Sequence, residues 1–240
     1  MRPQSTPETA IVKEERIGPH RLILGDCLSI MPLLGKVDAV VTDPPYGIGE
    51  SGKKNNSRGG VAPPRDYGDF NWDTVPASAE HMAMMRAVSD HQIIFGGNYF
   101  EGLGPTSCWL VWDKQNGDND FADCELAWTN LPKAVRRIYW LWNGMIRKGH
   151  DVRQHPTQKP VGVMEWCIGH LPKTAQTILD PFAGSGTTGV ACQKMGRAFI
   201  GIERDPEYFA IACKRVDEAM RQKDIFIATP APAPTQETLL

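Results

Sequence analysis

Apolar residues come in short runs separated by stretches with helical spacing. Arg21–Asp26 (RLILGD) and Asp38–Asp43 (DAVVTD) read as buried strands, each ending in a carboxylate, with one short helix over Cys27–Leu34 between them. Residues 78–89 carry a helical pattern with Ser78 as N-cap. Gln92–Gly96 and Cys108–Asp113 read as strands, and Glu125–Thr129 with Ala134–Trp140 as an antiparallel pair. Residues 161–170 are predicted helical. Gln176–Asp180 is a strand running into a glycine turn, followed by a helix from Thr187 to Met195 that Gly196 stops. Ala198–Glu203 is a further strand, and Asp205-Pro206 opens a helix reaching about Lys223. Strands alternating with helices predict an α/β fold: an open, mostly parallel sheet with helices on both faces.

This pattern gives one domain over residues 20–224 between two tails. Residues 1–19 are polar with Pro3 and Pro7, and in 225–240 proline alternates with small residues, which favours an extended chain. Residues 47–75 are rich in glycine and read as a mobile loop, and 141–160 are loop-like as well. Of the 240 residues 41% are hydrophobic and 22% charged, enough to bury a core, which excludes a wholly disordered chain. The longest apolar runs, such as Trp109–Trp112, fall far short of the roughly 18 residues a membrane span needs. No apolar segment in the first 20 residues suggests a signal peptide. The six cysteines include no C-x-x-C pair, so no metal site or disulfide scaffold is expected, and they read as buried thiols of a reducing cytosol. A net charge of −2 excludes a bulk-basic nucleic-acid binder but leaves room for a local basic patch.

Candidate chemistry begins at Asp180-Pro181-Phe182-Ala183-Gly184-Ser185-Gly186-Thr187-Thr188-Gly189. Gly184, Gly186 and Gly189 satisfy G-x-G-x-x-G after a strand and before a helix, and Glu203 ends the next strand nineteen residues on. A carboxylate there suits a grip on ribose hydroxyls, so the turn points to an adenosine-type cofactor. No Lys-Ser/Thr pair closes the turn, which argues against a P-loop. Asp180 adds a negative charge that would repel a pyrophosphate at the helix N-terminus but suits a ligand bearing an ammonium. S-adenosylmethionine has an ammonium, a ribose and no phosphate.

The second turn is Asp43-Pro44-Pro45-Tyr46-Gly47. Two consecutive prolines fix φ near −65° and stiffen the strand end beside a carboxylate and an aromatic face. Such a turn suits methylation of an exocyclic amine, whose lone pair is delocalised into its base. A carboxylate and a rigid carbonyl can each accept one N–H, localising the lone pair, while Tyr46 stacks on a base flipped out of its duplex. No covalent nucleophile is required, and positioning and electrostatics carry the rate.

With these residues the chain resembles the S-adenosylmethionine-dependent DNA amino-methyltransferases. The matching pieces are Asp43-Pro44-Pro45-Tyr46, Phe182-Ala183-Gly184-Ser185-Gly186, Gly25-Asp26-Cys27-Leu28 and His155-Pro156-Thr157-Gln158-Lys159-Pro160. The catalytic turn precedes the cofactor turn, the permuted order of the β group. The resemblance spans about residues 20–220 and implies a Rossmann-like, seven-stranded methyltransferase sheet whose last strand is antiparallel. It also implies that Asp43 and Asp180 end adjacent strands at the topological switch point. It implies that Asp43, Pro44, Pro45 and Tyr46 hold the target base, and that Phe182, Gly184 and Gly186 line the methionine and ribose side of the cofactor, with Asp180, Ser185 and Thr187 from the same turn. Glu203 would take the ribose hydroxyls, Asp26 with Cys27 the adenine, and Lys159 with Pro160 the methionine part, Asp43 also reaching the cofactor. In this family Asp at the first position of the catalytic turn goes mostly with the N6 amine of adenine, and the alternative is the N4 amine of cytosine. Double-stranded DNA, a cytoplasmic prokaryotic or phage setting, a monomer or homodimer, and restriction-modification are the implied context.

Charge locates the DNA. Residues 131–160 hold seven basic residues against Asp151 alone, with Trp140 and Trp142 interleaved, and 47–65 add four against Glu50. We expect phosphate contacts or base-reading from Lys53, Lys54, Arg58, Arg136, Arg137, Arg147, Lys148 and Arg153. The target-recognition region is short, about 131–155, so the recognised sequence is expected to be short or relaxed.

Overall fold

Strand residues that alternate between two apolar faces need cover on both sides, and the chain supplies it with two groups of helices. The structure, a computed structural model, describes residues 10–48, 75–116, 122–143, 146–147 and 158–226. Among these, the strands are β1 (Ile11–Ile17), β2 (His20–Gly25), β3 (Val37–Thr42), β4 (Ser89–Phe95), β5 (Trp109–Asp113), β6 (Cys124–Thr129), β7 (Arg136–Tyr139), β8 (Trp142–Asn143), β9 (Ile146–Arg147), β10 (Thr177–Asp180) and β11 (Ala198–Glu203). The helices are α1 (Cys27–Leu34), α2 (Ala79–Val88), α3 (Val161–Ile168), α4 (Thr187–Met195) and α5 (Pro206–Phe226). None of the described helices is long and apolar enough to cross a membrane.

Nine strands form one sheet in the order β1-β2-β11-β10-β3-β4-β6-β5-β7, and β8 and β9 form a separate ribbon. Leu22, Ala39, Ile93, Ile178 and Phe199 point to the face covered by α3, α4 and α5. Ile23, Val40, Ile94, Leu179 and Ile200 point to the face covered by α1 and α2. This is the period-2 alternation of a sheet buried on both sides. Each Val, Leu, Ile or Phe side chain so buried contributes about 1.5–3 kcal/mol.

The expected seven-stranded sheet with one antiparallel member is present as β2-β11-β10-β3-β4-β6-β5, with β6 antiparallel to both neighbours. Each edge then carries one strand more, making nine. The last strand in the chain, β11, is an inner strand of this sheet, parallel to both neighbours, as the permuted motif order requires. Residues 11–17, read as tail, are the edge strand β1, antiparallel to β2 through Gly18-Pro19. Its charged centre masks it in the sequence. An edge strand needs backbone partners more than apolar side chains, and its charges pair instead, Arg21 with Glu14 at 3.0 Å and Lys13 with Glu15 at 2.8 Å.

The predicted pairing of Glu125–Thr129 with Ala134–Trp140 does not occur. Both edges of β6 are taken, by β4 (Ile93↔Thr129) and β5 (Trp109↔Trp128), so β7 pairs in parallel with β5 instead. The helices over 79–88, 187–195 and from 206 begin and end close to expectation, and Gly196 closes α4 in the left-handed conformation at φ 68°. Most of the predicted 47–75 loop, residues 49–74, lies outside the described residues.

Strands β10 and β3 are neighbours, pairing Ile178↔Ala39 and Leu179↔Val40. From β3 the chain runs through α2 to β4, and from β10 through α4 to β11, away from each other and over opposite faces. A crevice opens at the C-terminal ends of strands that diverge in this way.

Candidate active site

The glycine turn leaves β10 at Asp180, which is 3% exposed and ties three elements together. Thr42 at the end of β3 and Thr188 in α4 each donate a hydroxyl to it at 2.6 Å, and the Phe182 N–H donates at 3.0 Å. Burial pushes the Asp180 carboxyl up to about 6 against the pull of those hydrogen bonds. Gly184 and Gly186 take φ of 51° and 78°, the left-handed region that a side chain disfavours. They differ in packing. A Cβ on Gly186 would lie 2.9 Å from Ala212 of α5, whereas one on Gly184 would meet nothing nearer than the Phe182 carbonyl at 3.9 Å. Gly186 is therefore demanded by conformation and contact together, and Gly184 by conformation alone.

Glu203 closes the turn from the next strand. Its two carboxylate oxygens accept from the Gly184 N–H at 2.8 Å and the Asp205 N–H at 2.9 Å. Burial raises its carboxyl above the ordinary value against those N–H groups. Arg215, on α5, was not anticipated. Its guanidinium donates to the Ser185 carbonyl at 2.6 Å, the Ser185 hydroxyl at 2.8 Å and the Thr187 hydroxyl at 3.1 Å, pinning the turn from behind.

A cavity of about 680 Å³ opens at these strand ends. Of the predicted residues, Asp26, Cys27, Asp43, Pro45, Lys159, Asp180, Phe182, Gly184, Ser185, Thr187 and Glu203 line it. Pro44, Tyr46, Pro160 and Gly186 are not on its wall. Pro160 caps α3, its carbonyl accepting from Val163 and Met164, and Gly186 caps α4. Asp26 also serves as the N-cap of α1, taking the Ser29 N–H at 3.1 Å. Burial pushes the Cys27 thiol up to about 12, so it is an apolar wall and not a nucleophile. The lining also includes His81, Arg204, Asp205 and Tyr208. The last three follow β11 directly, which the helix start at Asp205-Pro206 could have indicated, while nothing in the sequence marks His81.

The second turn faces the same cavity. Asp43 follows β3; its Oδ1 accepts from the Tyr46 hydroxyl at 2.5 Å and its Oδ2 from Lys159 Nζ at 2.6 Å. The Pro45 carbonyl accepts from the Ala77 N–H at 3.0 Å. Burial pushes the Asp43 carboxyl up, against the opposing pull of the Lys159 ammonium. Burial and the Asp43 charge hold the Tyr46 phenol well above its usual range, so it remains a donor. The Tyr46 ring stacks on Tyr99 with centroids 5.1 Å apart and planes within 14°. Phe100 meets its edge at 6.1 Å. A Cβ on Gly96 would overlap the Tyr46 ring, so glycine at the end of β4 is what lets that ring lie flat. Neither Tyr99 nor Gly96 was singled out in the sequence.

Lys159 is a partner of the Asp43 turn as well as a wall of the cavity. Its side chain is 7% exposed, and Nζ also lies 2.7 Å from Glu125 of β6. Glu125 in turn pairs with Lys114 at 2.6 Å. Burial alone would lower the Lys159 ammonium, but the two carboxylates outweigh it and raise it.

Of the predicted DNA contacts, Arg136 and Arg137 are exposed on the edge strand β7. Arg137 covers the Tyr139 ring at 4.4 Å and lies 4.0 Å from Asp113. Arg147 has its backbone in β9 with its side chain outside the described residues, as are Lys53, Lys54, Arg58, Lys148 and Arg153. Trp140 and Trp142 pack against the core beside α3 rather than standing out from the surface, and a Cβ on Gly162 would overlap Trp140.

Comparison with known proteins agrees with this chemistry. The DNA methylase model of the N6/N4 methyltransferase family matches residues 106–214. The Type II methyltransferase M2.LlaDCHI of Lactococcus lactis subsp. cremoris is 29% identical, over 76% of this chain and 82% of its own length. M2.DpnII of Streptococcus pneumoniae is likewise 29% identical, over 75% and 82%. Among solved structures, the M1.HpyAVI–SAM complex superposes with a TM-score of 0.55 at 26% identity, covering 82% of this chain and 99% of that one. With an Asp-Pro-Pro-Tyr turn and a glycine turn meeting across one crevice, and an alignment with Type II methyltransferases along most of their length, the chain is similar to the N6/N4 DNA methylases.

Proposed function

We propose that the protein transfers the methyl group of S-adenosylmethionine to the N6 amine of adenine in double-stranded DNA, the base being flipped out to reach Asp43. The observation that carries this reading is the continuity of one cavity from Asp180 and Glu203 at the cofactor turn to Asp43 at the catalytic turn. Its volume of about 680 Å³ lies within the roughly 300–1,000 Å³ of small-molecule sites. Its polar lining suits this cofactor better than a dinucleotide: Asp180 puts a carboxylate beside the glycine turn and the start of α4, where a pyrophosphate would be repelled. When bound, S-adenosylmethionine supplies an electrophilic methyl group on a sulfonium.

The chain's own residues do the rest. Glu203 and Asp26 offer acceptors to a ribose and an adenine, and Asp180 offers negative charge to an ammonium. Asp43 accepts an N–H of the target amine, drawing its lone pair out of the base. The Tyr46 and Lys159 donors hold both Asp43 oxygens in place, so no reorganisation is needed when the amine arrives. The Tyr46 ring, backed by Tyr99, offers a stacking face for the base. Adenine is favoured over cytosine by the Asp at the head of the catalytic turn. Such an enzyme works where the DNA lies, in a bacterial or phage-infected cytoplasm.

The test is transfer of label from methyl-labelled cofactor to duplex DNA, followed by digestion to nucleosides. N6-methyladenine is expected. N4-methylcytosine would establish the alternative amine, and DNA without label would overturn the reading.

Two further outcomes follow from the geometry. In Gly96→Ala the new methyl group displaces the Tyr46 ring. Single-turnover transfer should fall on the order of 10²-fold, the scale of a misplaced reacting group, with cofactor affinity by calorimetry unchanged. In Arg136→Ala/Arg137→Ala, DNA of every sequence should bind more weakly. The slope of log K against log salt should flatten by about 0.9 for each phosphate that is no longer neutralised. An unaltered slope would remove β7 from the DNA interface.

A further inference from the structure

The Lys159 ammonium stands between two carboxylates, and only one of them belongs to the catalytic turn. Its Nζ lies 2.6 Å from Asp43 and 2.7 Å from Glu125, which sits on the antiparallel strand β6. Lys114, directly after β5, holds the other Glu125 oxygen at 2.6 Å. The result is an alternating row, Asp43–Lys159–Glu125–Lys114, that leads away from the cavity and balances two negative charges with two positive ones.

We propose that Glu125 is a positioning residue for methyl transfer: by sharing the Lys159 ammonium it keeps that cation from neutralising Asp43 outright. Asp43 then meets the target amine as an anion with acceptor strength in reserve. This rests on the reading of Asp43 as acceptor for that amine. A lysine paired with Asp43 alone would still orient the carboxylate, but it would draw its charge into a one-to-one ion pair and weaken it as an acceptor. Glu125 is suited to the sharing role because Lys159 and Lys114 together keep it ionised. Burial works against this, but the two ammoniums hold its carboxyl down at about 2. Lys159 remains charged for the matching reason, lying between two anions. The other titratable groups facing Asp43 are Tyr46 on its own turn and Asp180 at the end of β10, with Tyr99 behind Tyr46.

The proposal gives opposite signs for two substitutions. Glu125→Gln keeps the shape of the side chain and removes its charge. Lys159 then serves Asp43 alone, so the single-turnover rate should fall about tenfold. The acid limb of its pH profile should move down by about one pH unit, a tenfold change in the Asp43 proton equilibrium. Lys114→Met strips Glu125 of its second cation, and the acid limb should move up. Cofactor affinity should stay within about threefold in both.

Glu125→Gln also leaves one buried positive charge in excess, so Glu125→Gln/Lys114→Met is the third variant. It restores neutrality, and the slow rate and lowered limb should persist. The carboxyl 13C shift of Asp43, titrated in the free protein, reports the same displacement without turnover. A wild-type rate and limb in folded Glu125→Gln would overturn the proposal, as would full recovery in the double variant, which would reduce Glu125 to charge balance. If Asp43→Ala kept its activity, the reading of the catalytic turn would fall instead.

Discussion

Asp43→Ala should slow methyl transfer by about 10³-fold and leave S-adenosylmethionine affinity within about threefold. The size follows from removing a preorganised charged acceptor from the reacting centre. The selectivity follows from position: Asp43 and the cofactor turn share a cavity but hang from different strands, and the turn is held by Asp180, Glu203 and Arg215 without help from Asp43. The variant should also fold. Without Asp43, Lys159 still has Glu125 at 2.7 Å, so no buried ammonium is left without an anion. Asp43→Asn should be impaired almost as severely, because an amide offers a single uncharged acceptor where Tyr46 and Lys159 each present a donor. Single-turnover transfer and calorimetry on the same preparations check both halves, and near-normal transfer in Asp43→Ala would remove the role assigned to it. The pH dependence has a definite sign. The folded carboxyl is raised above its ordinary value and must be ionised to accept, so the rate falls as pH drops through that raised value.

Glu203→Ala should weaken S-adenosylmethionine binding by about 1.5–3 kcal/mol, or roughly 10- to 150-fold. Two losses combine. The ribose proposed to bind here would lose its acceptor, and the turn would lose the carboxylate that takes the Gly184 and Asp205 N–H groups. Glu203→Gln separates them, since its amide oxygen can still accept one N–H while the charge is gone; its affinity should fall between those of the wild type and Glu203→Ala. Stability supplies a second readout. The carboxyl is raised on folding, so the folded chain binds its proton more tightly than the unfolded one. Wild-type stability therefore declines as pH rises from the ordinary carboxylate value through the raised one, and Glu203→Gln removes that slope. Calorimetric affinity equal to wild type in Glu203→Ala, with the fold intact, would detach Glu203 from the cofactor.

Both substitutions fall on residues legible in the sequence, for a shared reason. Asp43 and Glu203 end apolar strands, and their neighbours Pro44-Pro45 and Asp205-Pro206 are local signals whose effect on the backbone does not depend on distant contacts. The glycine turn is legible in the same way, although its glycines are not equivalent. A Cβ on Gly184, which lines the cavity, would meet no protein atom nearer than 3.9 Å, whereas the contact that Gly186 must avoid comes from Ala212.

Apolar periodicity and turn chemistry by themselves determined the α/β class, most of the strands and helices, and the two turns that meet at the cavity. These are matters of dihedral preference and of which face must leave water, and both are written within a few residues. Only the tertiary structure decided that β1 is a strand, since its charged centre is stabilised by backbone pairing with β2. It decided that β6 lies between β4 and β5, because strand order depends on which edges remain open after others have paired. It also brought Glu125, Lys114, Tyr99, Gly96 and Arg215 to the site from segments with no local mark of function. A lysine beside a cofactor and a lysine held between two buried carboxylates have the same sequence. What distinguishes them is the burial that makes each charge require a partner, and that burial exists only once the sheet has assembled.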